Sequence, residues 1–378
     1  VDEVPFRWLA AGSAPDYRAI ARFRKRHLSA LGHLFVQALA LCQAAGMVSL
    51  GRVALDGTKL RANASKRKAM SYARMTEKEK ALAVEVSALL AEAERIDKAE
   101  DRQFGKDRRG DELPAELARR ETRLVKIREA KAALEAEAAE AAREQAEAKA
   151  RERGDDDDTT TGKGAEAAAT ATPKPKAQRN FTDPDSKIML TADGAFHQCY
   201  NAAAVVDADH QVIVAAELGT NATDIATLMP MTHQVVANTG VVPAQVLADA
   251  GYSSAANCDA AAEYTATCGT EFFIAPGRRR RDDPVPVAPR GRIPAGATAK
   301  QRMARKLTTK EGQRVYARRK AIVEPVFGQM STLQNAKHLL LRGFEQARAE
   351  WLLLAACHNL RKLHGHIGIA GLSALPAQ

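Results

Sequence analysis

Between residues 75 and 154 the composition switches to Ala, Glu, Lys, Arg and Leu, and this stretch constrains the fold more than any other. Leu82, Val86, Leu89, Ala93 and Ile96 recur at alternating spacings of four and three, and Leu117, Leu124, Ile127 and Leu134 keep the same rhythm. Apolar residues so spaced share one helical face, which predicts two heptad-like helices. Phe104-Gly105-Lys106-Asp107-Arg108-Arg109-Gly110 offers a polar turn between them, so the pair reads as an antiparallel coiled-coil hairpin. Its flanks are strand-like. Val53-Ala54-Leu55-Asp56-Gly57-Thr58-Lys59-Leu60 precedes it, and strands are predicted again at 187–191, 198–206 and 211–218. A helical hairpin between strands is best treated as an insertion into a mixed α/β domain.

The remaining segments fill out that plan. Asp16 is placed to cap a helix through Tyr17, Ile20, Phe23 and His27, and Leu31, Leu34, Phe35 and Leu39 give a second helix its apolar face. Residues 155–178 open with four aspartates and continue in Thr, Gly, Ala and Pro, the composition of a disordered, solvated linker rather than a metal site. Beyond the predicted hairpin around Asp207-Ala208-Asp209-His210, a helix is expected over 224–237, a buried strand ending at Asp249, a helix over 254–264 and a strand over 271–274. Helices are expected over 309–330 and 346–363, with Pro325 breaking or kinking the first.

Charge narrows the partners. The chain of 378 residues carries a formal net charge of +10, concentrated in residues 277–321, where only Asp282, Asp283 and Glu311 oppose a dense run of Arg and Lys. Self-repulsion on that scale calls for a polyanion, and nucleic-acid phosphate is the usual one. A membrane surface is the weaker alternative, because the run lacks an apolar face. The five cysteines are scattered without a Cys-x2-Cys pair, which speaks against zinc and for reduced thiols in a cytosolic protein. No leader is visible, and the apolar run 351–357 is too short to span a bilayer. The chain starts at Val1 directly before a helix-like segment, as expected of a piece that has lost upstream residues. Cys357-His358 is expected to pack in a core, and His364-Gly365-His366 to be incidental.

Three acids stand in unusual surroundings. Asp56 lies inside an apolar strand beside a glycine, Asp249 ends a second apolar strand, and Glu324 sits in Lys320-Ala321-Ile322-Val323-Glu324-Pro325. Each alone has an ordinary explanation, a turn-forming Asp or a surface Glu. Jointly they have one cause, a site for hard divalent cations, since Mg²⁺ and Mn²⁺ prefer carboxylate oxygen. Two such ions, roughly 3.5–4 Å apart, can activate an attacking oxygen and stabilise a leaving one in phosphoryl transfer.

Asp56-Gly57-Thr58-Lys59, Ala248-Asp249-Ala250-Gly251-Tyr252 and the segment from Tyr316 to Gln329 around Glu324 resemble bacterial insertion-sequence DDE transposases, in particular those with a helical insert between the first two acids. Phe6-Arg7-Trp8-Leu9, Arg179-Asn180-Phe181-Thr182, Tyr200-Asn201 and Leu341-Arg342-Gly343 extend the likeness over nearly the whole chain. The sequence departs from that pattern at Cys199, Ser253 and Ser331, none of them a metal ligand. The resemblance implies an α/β fold with a ribonuclease-H-like mixed sheet flanked by helices. It implies that Asp56, Asp249 and Glu324 bind two Mg²⁺ or Mn²⁺ ions, and that the enzyme cuts its element's ends and joins 3′ hydroxyls to target DNA.

Tyr316, Lys320 and Glu324 recur every four residues with Arg319 adjacent, so they share a cationic helical face. Tyr316, Arg318, Arg319, Lys320 and Arg342 are the expected DNA contacts, the alternative for this face being an ordinary solvated basic helix. The expected divisions are 1–50, a helical DNA-binding region; 51–66, the first core strand; 67–154, the coiled-coil hairpin; 155–178, the disordered linker; 179–335, the rest of the core; and 336–378, a C-terminal helix and tail. Element ends and target DNA are the expected partners, with a homo-oligomer on synapsed ends, no membrane, and a cytoplasmic, nucleoid-associated location. The alternatives are a transposase-derived DNA-binding protein without activity, and a coiled-coil scaffold using its basic tract for RNA.

Overall fold

The computed structural model describes residues 13, 16–104, 115–153, 156–277 and 291–375. In chain order its elements are α1 (Tyr17–Arg26), α2 (Leu28–Ala44), β1 (Val53–Arg61), β2 (Ala69–Ser71), α3 (Tyr72–Phe104), α4 (Ala115–Arg153), α5 (Asp157–Thr170), β3 (Gln178–Asn180), β4 (Lys187–Leu190), β5 (Phe196–Asp207), β6 (Ile213–Gly219), α6 (Leu228–Thr239), β7 (Gln245–Ala248), α7 (Ala255–Cys268), β8 (Glu271–Ile274), α8 (Ala299–Thr308), α9 (Lys310–Leu333) and α10 (Phe344–Ala374). The predicted turn over 105–110 and the arginines 278–281 lie outside the described residues. The chain divides into two compact units, one of residues 1–63 with 186–378, the other of residues 64–185.

The first unit is a mixed α/β layer. Its sheet runs β4-β5-β1-β7-β8, with β6 also paired to β5. β1 is central, antiparallel to β5 and parallel to β7, and Val53, Ala54 and Leu55 are wholly buried. Both faces of such a strand must be apolar, which its continuous Val-Ala-Leu run satisfies. A cluster including Leu39, Leu55, Val205, Val246, Phe272 and Leu363 fills the space between sheet and helices. Asp207, fully buried at the end of β5, accepts hydrogen bonds from the Leu50 and Asp209 amides at 2.8 and 3.0 Å and so fixes the turn into β6.

One helix receives side-chain help from outside, and another gives it. α9 continues through Pro325 to Leu333 instead of breaking there. Proline offers no N–H to the carbonyl four residues back, and that carbonyl, of Ala321, accepts from Gln211 Nε2 at 3.1 Å. On α10, fully buried Asn359 uses both ends of its amide on β6: Nδ2 donates to the Ile213 carbonyl and Oδ1 accepts from the Ile213 N–H, each at 2.8 Å. The register of β5 against β6 shifts at this point, and the asparagine satisfies the backbone beside the irregularity. His358 is buried, faces the Gln211 carbonyl at 2.9 Å and is pushed down to about 4 by burial, whereas Cys357 is exposed rather than packed in the core. All five thiols are free.

The second unit is the inserted hairpin. Met75, Leu82 and Val86 of α3 meet Leu124, Ile127 and Leu134 of α4 in its own core, the seam that the heptad spacing predicts. A small sheet pairs β2 with β3 at the base. The stretch expected as a disordered linker instead contains α5. Asp156 caps it by accepting from the Thr159 amide at 2.7 Å, and Gly164 lets it approach α4 where a Cβ would meet Glu147 at 2.7 Å. An aspartate run at a helix start is favourable to the helix dipole, so the same residues that suggest disorder also nucleate this turn. Among the described residues no helix is long and apolar enough to cross a membrane.

Candidate active site

The sheet brings the first two acids together. Leu55 and Ala248 are paired across the parallel β1–β7 ladder, so the residues that follow them, Asp56 and Asp249, stand side by side where β7 ends. Asp249 is half-buried and caps the succeeding turn, its Oδ1 accepting from the Gly251 amide at 2.8 Å. Asp56 accepts from its neighbour's amide, Gly57, at 2.9 Å through Oδ1.

A helix supplies the counter-charge. α9 packs on β1, β5 and β7 and aims Arg319, only 8% exposed, at Asp56, donating from Nη1 to Oδ2 at 2.8 Å. Burial raises the Asp56 pKa above the usual carboxylate value, with Asp249 adding to the rise and Arg319 opposing it. Tyr316, one turn earlier, is also raised, chiefly by burial and further by Asp249 and Asp56, with Arg319 opposing. Arg318 and Lys320 are exposed. Glu324 is exposed as well, with Lys320 Nζ at 4.0 Å from its carboxylate. Among the described residues no three acidic, histidine or cysteine side chains are gathered closely enough to share an ion. Arg342 lies past the far end of β1, where its guanidinium donates to the Asn63 carbonyl at 2.9 Å.

One carboxylate in this neighbourhood has no counterpart in the sequence reading. Asp224, just before a short helical turn ahead of α6, accepts from Lys59 Nζ at 3.2 Å and Asn201 Nδ2 at 2.5 Å. It explains Gly57, whereas Gly251 makes room for Asp249 itself. A Cβ on Gly57 would lie 2.7 Å from Asp224 Oδ1, and one on Gly251 would lie 3.0 Å from Asp249 Oδ1 and 3.6 Å from Asp224 Oδ2. Tyr252, fully buried, has its phenol pKa pushed far up by burial first, then by Asp224, Asp56 and Asp249. The signal available in the sequence was Gly57, which marks a close approach by something else.

The donor set at Asp56 and Asp249 suits a hard cation: it is all carboxylate oxygen, and a positive group, the Arg319 guanidinium, already sits against one of the two. Asp224 stands close to Gly57 and is tied to Lys59, and among the described residues it is not gathered with the other two acids as a third ligand.

Comparison with known proteins adds an observation at this helix. Residues 292–364 match the family described as Transposase DDE domain. This supports an insertion-sequence DDE transposase. The matched segment contains Tyr316, Arg319, Lys320, Glu324 and Arg342, spans α8, α9 and most of α10, and supports a transposase-type function with DNA as the partner. Asp56 and Asp249 lie outside it, and Asp56 is joined to the matched segment by its pair with Arg319. No curated protein and no solved structure matches the chain.

Proposed function

We propose that this protein is a metal-dependent DNA transposase, cleaving phosphodiester bonds at the ends of an insertion sequence and transferring the 3′ hydroxyls to target DNA. The observation that carries this is the meeting of Asp56 and Asp249 on adjoining strands, with Arg319 of the transposase segment bonded to Asp56. The order of a central β1 between an antiparallel and a parallel neighbour fits a ribonuclease-H-like core. In this reading Asp56, Asp249 and Glu324 would be the residues that hold two Mg²⁺ or Mn²⁺ ions. Such ions, when bound, supply Lewis acidity to the attacking and leaving oxygens.

The protein's own groups do the rest. Asp56 and Asp249 present fixed oxygen donors from a rigid sheet, and Lys59 with Asn201 anchors Asp224 behind them. Arg319 neutralises Asp56 until a cation or a phosphate competes for the pair. Tyr316, Arg318 and Lys320 line the approach of the DNA backbone, and Arg342 meets it beyond β1, with the subunits assembling on synapsed ends. Purified protein should therefore nick and join duplex carrying the element ends in Mg²⁺ or Mn²⁺, and lose both activities in EDTA. Cleavage that persists in chelator would overturn the proposal. Protein that binds DNA yet never nicks it would favour the non-catalytic alternative.

Arg319 gives a second handle. Because its guanidinium competes for Asp56 Oδ2, Arg319→Gln should tighten Mn²⁺ binding in the absence of DNA by about tenfold, the scale of one charge-assisted hydrogen bond. Titration calorimetry reads this directly. An unchanged affinity would mean that Arg319 does not cover the cation position.

A further inference from the structure

We infer that the inserted hairpin carries its own binding groove for the sugar-phosphate backbone of double-stranded DNA. The groove lies within residues 64–185 and is walled by Arg67, Lys68, Arg119, Arg123 and Lys126, with Phe181 in its lining and no carboxylate. The identity of the occupant as DNA rests on the transposase proposal. The cationic character of the groove does not.

Three pieces of chain converge to build it. Arg119, Arg123 and Lys126 fall at positions i, i+4 and i+7 of α4 and so share one face. Arg67 and Lys68 form a single helical turn just before β2. The β2–β3 pairing and the bond from the Phe181 amide to the Lys68 carbonyl, at 3.0 Å, bring the segment around Phe181 beside that turn.

The charges here are treated differently from their neighbours. Elsewhere on the hairpin Glu79 meets Arg128 and Lys131 at 3.1 and 3.0 Å, Glu140 meets Arg143 at 2.6 Å, and Glu137 meets Arg179 at 2.7 Å. Among the described residues none of the five groove cations is in an ion pair, and all five are exposed. Helices that match their charges along one seam but leave a concave face uniformly positive are set up for a polyanion. The rise from Arg119 to Lys126 is about 10 Å, which faces roughly three successive phosphates of one strand at about 3.4 Å of axis each. That regular spacing along a rigid helix favours a duplex over a flexible polymer.

The test uses the full chain and a duplex of about 40 base pairs of arbitrary sequence, with dissociation constants measured against KCl. Each phosphate contact contributes about 0.9 to the slope of log K against log salt. R119Q/R123Q/K126Q should lower that slope by about 2 to 3 and weaken binding at least about tenfold at ~0.1 M salt. R67Q/K68Q should act in the same direction, with helicity by circular dichroism unchanged in both. K149Q/R153Q, further along the same helix, should leave the slope as it is. An unchanged slope in the groove variants overturns the inference. So does an equal loss in the distal control, or a loss seen with RNA or heparin but not with duplex DNA. The cleavage assay fails or succeeds separately: a groove that changes the salt slope in a protein that never nicks would leave the inference standing and remove the transposase proposal.

Discussion

Asp249→Ala should reduce metal-dependent cleavage by at least about 10²–10³-fold, the range over which removal of a single preorganised electrostatic group acts on a transition state. The structure separates that effect from damage to the fold. Asp249 is half-buried, sits after β7 rather than within it, and its side chain accepts one hydrogen bond among the described residues, from the Gly251 amide. Losing that bond costs about 0.5–1.5 kcal/mol, too little to unfold a domain. Removing a negative charge also relieves repulsion with Asp56, so DNA affinity should hold or rise. The expected signature is binding without nicking, measured by anisotropy and a gel cleavage assay on the same preparation. Nicking at the wild-type rate would show that the Asp56–Asp249 pair does not do the chemistry.

The largest stability effect is expected far from these acids. Asn359→Leu keeps the side-chain volume but strips Ile213 of partners for both its N–H and its carbonyl, in a place closed to water. A buried backbone group left unpaired costs about 1–3 kcal/mol, so the substitution should destabilise the first unit by roughly 2–5 kcal/mol. Urea unfolding followed by tryptophan fluorescence would report it as a lower midpoint with an unchanged slope. A shift below about 0.5 kcal/mol would mean that water or a rearranged β6 replaces the asparagine.

How much of this was legible beforehand depends on whether a feature is written locally. The hairpin was, because Leu82, Val86, Leu124, Ile127 and Leu134 carry their partners' positions in their own spacing. The Asp56 and Asp249 strands were, because an acid set inside or directly after a short apolar run is a self-contained signal. Asp224 was not: nothing around it is periodic, and its role comes from contacts with Lys59, Asn201 and Gly57 that are distant in sequence. Lys320 was grouped with Tyr316 and Glu324 by a four-residue spacing, yet Arg319 is the residue that reaches Asp56. The buried positions Val315, Arg319, Ile322, Val323 and Val326 define which side of α9 meets the sheet, and a reading anchored on those apolar residues would have pointed Arg319 inward. The helix at Asp157–Thr170 was hidden because low-complexity composition says nothing about a long neighbour ready to pack against it.

The position of β1 also carries a consequence for synthesis on the ribosome. Its two ladder partners, β5 and β7, are both encoded after the inserted hairpin, so the strand bearing Asp56 emerges with nothing to pair against. At ordinary elongation rates of about 5–20 residues per second, the wait lasts on the order of ten seconds. During it the hairpin can close on its own sequence-local core while an apolar strand stays open. Translation speed across the insert, and chaperone capture of residues 53–61, should therefore govern how much of this protein reaches its native sheet.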